Sequence, residues 1–150
     1  MDDKTKKNEI VSFIREELDK IKKLSVEIDE CKGDSYIMKR AKGSILHDFY
    51  NACERIFELI ANNINGGMTG GHKWHKRLLS QMTINIEGVR TPVISKRLAA
   101  ELDEYLAFRH LFRNIYGFEL ESGRLDKLVE RFTEIIDLFS EEINNFIKKL

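Results

Sequence analysis

The chain has 150 residues, with 25 Lys and Arg against 25 Asp and Glu, 42% hydrophobic and 33% charged residues, nine glycines and one proline. This composition fits one globular domain over 1–150, long enough to bury about two-thirds of its unfolded surface. It argues against disorder and, with zero net charge, against a molecule-wide field that would gather nucleic acid or anionic membrane. The two cysteines, Cys31 and Cys53, have no metal-ligand spacing and suggest a reducing compartment. No secretory signal opens the chain and no segment approaches the roughly 20 apolar residues of a membrane span, so a cytoplasmic protein with no membrane partner is expected.

From about Asn8 to Lys32, Ile10, Ile14, Leu18, Ile21, Leu24 and Ile28 recur at steps of three and four, which predicts an amphipathic helix ended by Gly33. Asp34 and Ser35 offer N-cap oxygens to a second helix running through Ile37, Ala41, Ile45, Phe49, Ala52, Ile56 and Ile60 to the stop at Asn62–Gly67. The two are expected to pair as an antiparallel hairpin. Gly66 to Gly71 lacks the Lys-Ser/Thr ending of a phosphate-binding loop and reads as a connector. A short helix is predicted over about 72–84, with Trp74, Leu78, Leu79 and Met82, before Glu87-Gly88-Val89-Arg90-Thr91-Pro92 breaks the pattern. Ser95 can cap a fourth helix that buries Leu98, Leu102, Leu106 and Phe112 and closes at Gly117. Ser122 can cap a fifth, with Leu125, Val129, Phe132, Ile136, Phe139, Ile143, Phe146 and Leu150 on one face. The predicted fold is all-α, an up-and-down bundle of four long helices plus one short helix.

Charge is uneven along the chain. Between His72 and Arg97 there are six basic residues (Lys73, Lys76, Arg77, Arg90, Lys96, Arg97) against one acid, Glu87. This is either an RNA-facing rim or a solvated face balanced by the acidic last helix. His72 and His75 lie three apart and His47 adjoins Asp48, but no Glu-x-x-His or His-Glu-x-x-His arrangement exists, so neither a metal nor a cofactor is expected and the histidines at 72 and 75 read as a helix start. Neither cysteine has a catalytic-histidine signature and there is no Gly-x-Ser-x-Gly elbow. Asp48 and Glu54 read as a polar stripe of a half-buried helix, or, for Asp48, as support for a site on a neighbouring helix.

The end of helix four, Arg109-His110-Leu111-Phe112-Arg113-Asn114-Ile115-Tyr116, carries polar residues where a core helix would carry Leu and Ala. Arg109, Arg113 and Tyr116 fall on one face and could form a phosphate-contacting strip, since guanidinium binds phosphate bidentately. A solvated or dimer-facing polar stripe is the alternative.

Arg109, four intervening residues, position 114 and Tyr116 resemble the Arg-x4-His-x-Tyr signature of HEPN domains of the HepT type, with Asn114 in place of the histidine. Trp74-His75-Lys76-Arg77-Leu78-Leu79, Gly88-Val89-Arg90-Thr91-Pro92-Val93, Phe108 to Arg113, and His47-Asp48-Phe49-Tyr50 with Glu54 extend the similarity over nearly the whole chain. The resemblance implies a metal-independent endoribonuclease acting as a homodimer, the toxin of a toxin-antitoxin pair whose partner is a minimal nucleotidyltransferase (MNT). It gives Arg109 the electrostatic role, position 114 the proton-transfer role as a ribose 2′-OH attacks phosphate, and Tyr116 the role of adenylylation (AMPylation) acceptor. Arg113 and His110 are then candidate RNA contacts.

Positions 109 and 114 lie about 140° apart on an ideal helix, so either the helix distorts near Gly117 or a twofold axis brings both copies together. An amide at 114 cannot exchange a proton near neutral pH, and general acid–base catalysis supplies a factor of about 10²–10⁴, so lost or weakened cleavage is expected. Three explanations are open: a family member that binds rather than cuts, a change introduced so that a toxic protein can be made, or slow cleavage through Arg109 and a water. The alternative function is a non-catalytic HEPN protein that is antitoxin, substrate or scaffold for a nucleotidyltransferase.

Overall fold

A computed structural model describes residues 3–67, 71, 73–114 and 122–150, with the backbone alone for residues 113, 114 and 122. The apolar steps read from the sequence become five α-helices, and among the described residues there is no strand. They are α1 (Asp3–Glu30), α2 (Tyr36–Asn63), α3 (Trp74–Gln81), α4 (Lys96–Asn114) and α5 (Ser122–Lys148). The expected all-α bundle of four long helices and one short one is therefore the fold. None of the described helices is long and apolar enough to cross a membrane.

The helix ends follow local chemistry. The Ser35 hydroxyl accepts from the Met38 amide at 3.2 Å and starts α2. Ser95 does the same for α4, accepting from Leu98 N at 3.1 Å, while its hydroxyl donates to Glu142 of α5 at 2.8 Å, so one cap also ties two helices together. Three expectations shift. Ile37, counted with the apolar face of α2, is 71% exposed because it lies in the first turn, before α2 meets its neighbours. Ser122 is the first residue of α5 rather than a residue preceding it. The short helix is only eight residues long: the Met82 carbonyl accepts from Val93 N at 2.8 Å and Ile94 N at 3.1 Å, turning the chain out of α3.

α2 packs against all four other helices. Phe49, fully buried, meets Tyr105, Phe132 and Phe139 edge-on at ring separations of 5.4, 5.1 and 6.3 Å, so one residue joins α2, α4 and α5. Tyr105 donates its phenol to the Leu128 carbonyl at 2.7 Å, and burial pushes that phenol far above its usual range. The faces of α1 and α5 match their sequence patterns closely: Ile10, Ile14, Leu18, Ile21 and Ile28 of α1 and Leu125, Phe132, Ile136, Phe139, Ile143 and Phe146 of α5 are buried, with Leu24, Val129 and Leu150 half-buried.

Arg90 corrects the charge reading. It is buried, with its guanidinium donating to Asn65 Oδ1 at 2.7 Å and to the carbonyls of Ile84 and Gln81, both at 2.8 Å. These bonds fix the turn in which Ile86 and Arg90 pair and Gly88 adopts a φ of +76°. Lys73, Lys76, Arg77, Lys96 and Arg97 remain exposed. Arg90→Ala strands several acceptors and is expected to cost about 2–4 kcal/mol, read as a lower urea midpoint; an unchanged midpoint would refute the anchoring role.

Candidate functional site

The α2 residues Tyr50, Glu54 and Asn51 fall along one stripe at the edge of its apolar face, three and four residues apart. Such a stripe borders the core on one side and water on the other, so a carboxylate placed there needs a partner. α4 supplies it. The Arg109 guanidinium donates through Nη1 to Glu54 Oε1 at 3.1 Å and to Asn51 Oδ1 at 2.8 Å. Both charged side chains are almost fully buried, at 6% and 7% exposure. The guanidinium carbon lies 4.9 Å from the centre of the Tyr50 ring, a cation–π contact on its apolar side.

α3 adds His75. Its Nδ1 lies 2.8 and 2.9 Å from the two Glu54 oxygens and 3.0 Å from Arg109 Nη2. One ring nitrogen cannot both donate to the carboxylate and accept from the guanidinium. The carboxylate is the stronger partner, so the Nδ1 proton points to Glu54 and Nη2 is a close neighbour. The Trp74 ring lies on the imidazole with centres 3.7 Å apart and planes at 32°. Residue 73, just before α3, has a left-handed backbone (φ +62°), an uncommon state for lysine that turns Trp74 and His75 toward α2.

On the far side of Asn51, its Nδ2 lies 3.3 Å from His47 Nδ1, and the His47 ring rests 5.7 Å from that of Phe112. The polar cluster thus runs from His47 through Asn51, Arg109 and Glu54 to His75 and joins α2, α3 and α4. Its core neighbour Cys53 has its thiol pushed well up by burial, the opposite of an activated nucleophile. Among the described residues no group of three or more His, Cys, Asp or Glu could hold a metal ion.

The residues singled out in the sequence divide. Arg109 lies at the centre of the cluster. His110 is exposed. Asp48 has a 61% exposed side chain, its Oδ1 3.9 Å from His47 Nδ1, and it borders a hollow of about 240 Å³ between α1 and α2 with Lys20, Asn51 and Arg55. Glu54, not Asp48, faces Arg109: the two acids are six apart, about 120° around α2, so one helix cannot receive both. The side chains of Arg113 and Asn114 lie outside the described residues, as do His72, Tyr116 and Gly117. α4 is helical through Asn114, and the approach to Gly117, where distortion was expected, lies outside the described residues.

The sequence reading missed His75 as a member of this cluster. Its signal was present in the Trp74–Leu79 segment, but nothing in the spacing ties position 75 to 54 or 109.

Two substitutions separate the charge pair from its apolar floor. Glu54→Gln leaves a buried arginine without its counter-charge and is expected to cost about 3–5 kcal/mol in urea unfolding. The Tyr50 hydroxyl has no hydrogen-bond partner among the described residues, so Tyr50→Phe is expected to leave stability unchanged or raise it by up to about 1 kcal/mol. Equal losses from both would refute this division.

Comparison with known proteins adds one result. No curated protein and no solved structure matches the chain. The family model described as "HepT-like protein" matches residues 41–150, a span that holds α2 from its second turn, α3 to α5 and every residue of the polar cluster. With well over half of its length matched, the chain belongs to the HepT-like protein family.

Proposed function

We propose that the chain is a HepT-type toxin of a toxin-antitoxin module, a single HEPN-like domain over 1–150 from a metal-independent endoribonuclease lineage. The observation that carries this reading is the position of Arg109 in a HepT-like chain: the arginine of the Arg-x4-His-x-Tyr pattern is oriented through its Nη1 by Asn51 and Glu54 together. A guanidinium oriented in advance, in a site that excludes water, stabilises the charge that grows on a phosphate during transfer without reorganising. His110 and Arg113 are the accompanying RNA contacts. The proton-transfer position is weakened by Asn114, which can hydrogen-bond a 2′-OH but not take its proton.

The partners follow from the same reading. A homodimer with its twofold axis near α4 brings Arg109 and residue 114 of both copies to one site, because the two positions point about 140° apart on a single helix. An MNT antitoxin adenylylates Tyr116 and silences the toxin. A protein acting on cellular RNA in this way works in the cytoplasm and needs no cofactor.

A second reading has its own support. Arg109 is 5% exposed in the single chain and already paired to Glu54, which suits a non-catalytic HEPN protein serving as antitoxin, substrate or scaffold of a nucleotidyltransferase.

Asn114→His separates the two. It is expected to raise RNA cleavage about 10²-fold or more and to inhibit growth on expression; a variant as inert as the parent removes the nuclease reading. With an MNT partner and ATP, the mass is expected to rise by adenylyl units, and Tyr116→Phe to abolish the gain. A monomeric solution mass would count against the shared site.

A further inference from the structure

We infer that His75 is the residue that moves protons at this site, taking the place left empty by Asn114. The inference rests on the ribonuclease reading above and assigns a catalytic residue from α3, outside the Arg-x4-His-x-Tyr pattern.

The arrangement is that of an oriented base. Both oxygens of Glu54 lie within 2.9 Å of His75 Nδ1, which fixes the ring and puts its proton on that nitrogen. In the neutral ring the acceptor is then Nε2. Glu54 is a positioning residue, and Arg109 is its counter-charge on the same oxygen, Oε1.

Exposure separates the three side chains. Glu54 is 7% and Arg109 6% exposed, whereas the His75 side chain is 34% exposed. Of the three, the imidazole presents the most surface to an RNA strand. What surrounds it suits single-stranded RNA: half-buried Trp74 lies against the ring, and exposed Lys73 and Lys76 flank it in the chain. Aromatic faces and cationic side chains are how proteins hold unpaired nucleotides without reading sequence. Placing the base on α3 also removes the angular difficulty within α4, since His75 reaches Arg109 from a different helix at 3.0 Å.

The chemistry balances with the groups present. Nε2 takes the proton of a ribose 2′-OH as that oxygen attacks the adjacent phosphorus. The P–O5′ bond breaks, the 5′ oxygen takes a proton from water, and the imidazolium returns its own proton to water. The products are a 2′,3′-cyclic phosphate and a 5′-OH. No oxidant, metal or further reactant is consumed.

The test uses the full chain, a mixed-sequence single-stranded RNA and excess chelator, with the His75→Asn and Asn114→His variants beside the parent. Asparagine at 75 can keep a donor on Glu54 through its amide while lacking Nε2, so the melting temperature reports the fold separately from the rate. The charged groups around the ring are Glu54 and Glu58 of α2, Arg109 of α4, and Lys73 and Lys76 beside it; burial and Glu54 push the Glu58 carboxyl up. The parent is expected to cleave slowly, leaving cyclic phosphate ends. His75→Asn is expected to lose about 10²-fold or more of that rate at a retained melting temperature. His75→Asn cutting at the parental rate overturns the inference, and leaves the ribonuclease reading standing. A parent that is inert while Asn114→His cuts returns proton transfer to position 114 and overturns the inference alone. If neither cuts, the ribonuclease reading fails and the inference falls with it.

Discussion

The interaction on which the rest depends is the buried ion pair between Glu54 and Arg109. Removing both charges from water carries a penalty of several kcal/mol per ion, which the mutual attraction offsets only where remaining donors and lone pairs are also satisfied. Asn51 and His75 complete that set, and the Tyr50 ring closes the apolar side. The pair therefore constrains three helices at once. α3, with eight residues, is too short to be stable alone and is held by Leu78, Leu79 and Met82 packing below and the His75–Glu54 contact above.

The same economy sorts the basic residues between α3 and α4. Arg90 has been drawn inward to satisfy carbonyls that the turn after α3 leaves open. The lysines stay outside, and Lys76 and Lys96 line a groove of about 390 Å³ between α3 and α4, with Asp103 opposite Lys76 at 3.9 Å. A sequence stretch with a balance of +5 thus yields a smaller surface charge than its count suggests. Of what remains outward, Lys76 and Arg77 lie on α3 with His75 and Lys73 lies just before it, while Lys96 and Arg97 open α4.

The bundle was legible because its signal is local. Apolar residues at steps of three and four state which face of a helix is buried, and α5 follows that rule almost without exception. Ile37 departs from it because periodicity does not say where along a helix the neighbours begin. The site was legible only in part. Arg109 stood out as a polar residue in an apolar helix, which burial with a partner explains. Its partner did not: Glu54 and Asp48 look alike in sequence, and only the angle each makes around α2, combined with where α4 lies, separates them. His75 reaches Glu54 across a glycine-rich connector, and no local pattern encodes a contact made that way.

Glu54 and Arg109 answer one another within a buried space, so a change at either leaves a charge stranded. Such positions can change only in concert, and packing alone is reason for the fold to retain them. In descendants of this chain the arginine of the pattern would then be a mark of inherited architecture. His75, with a 34% exposed side chain, is held less tightly by the packing and is freer to drift.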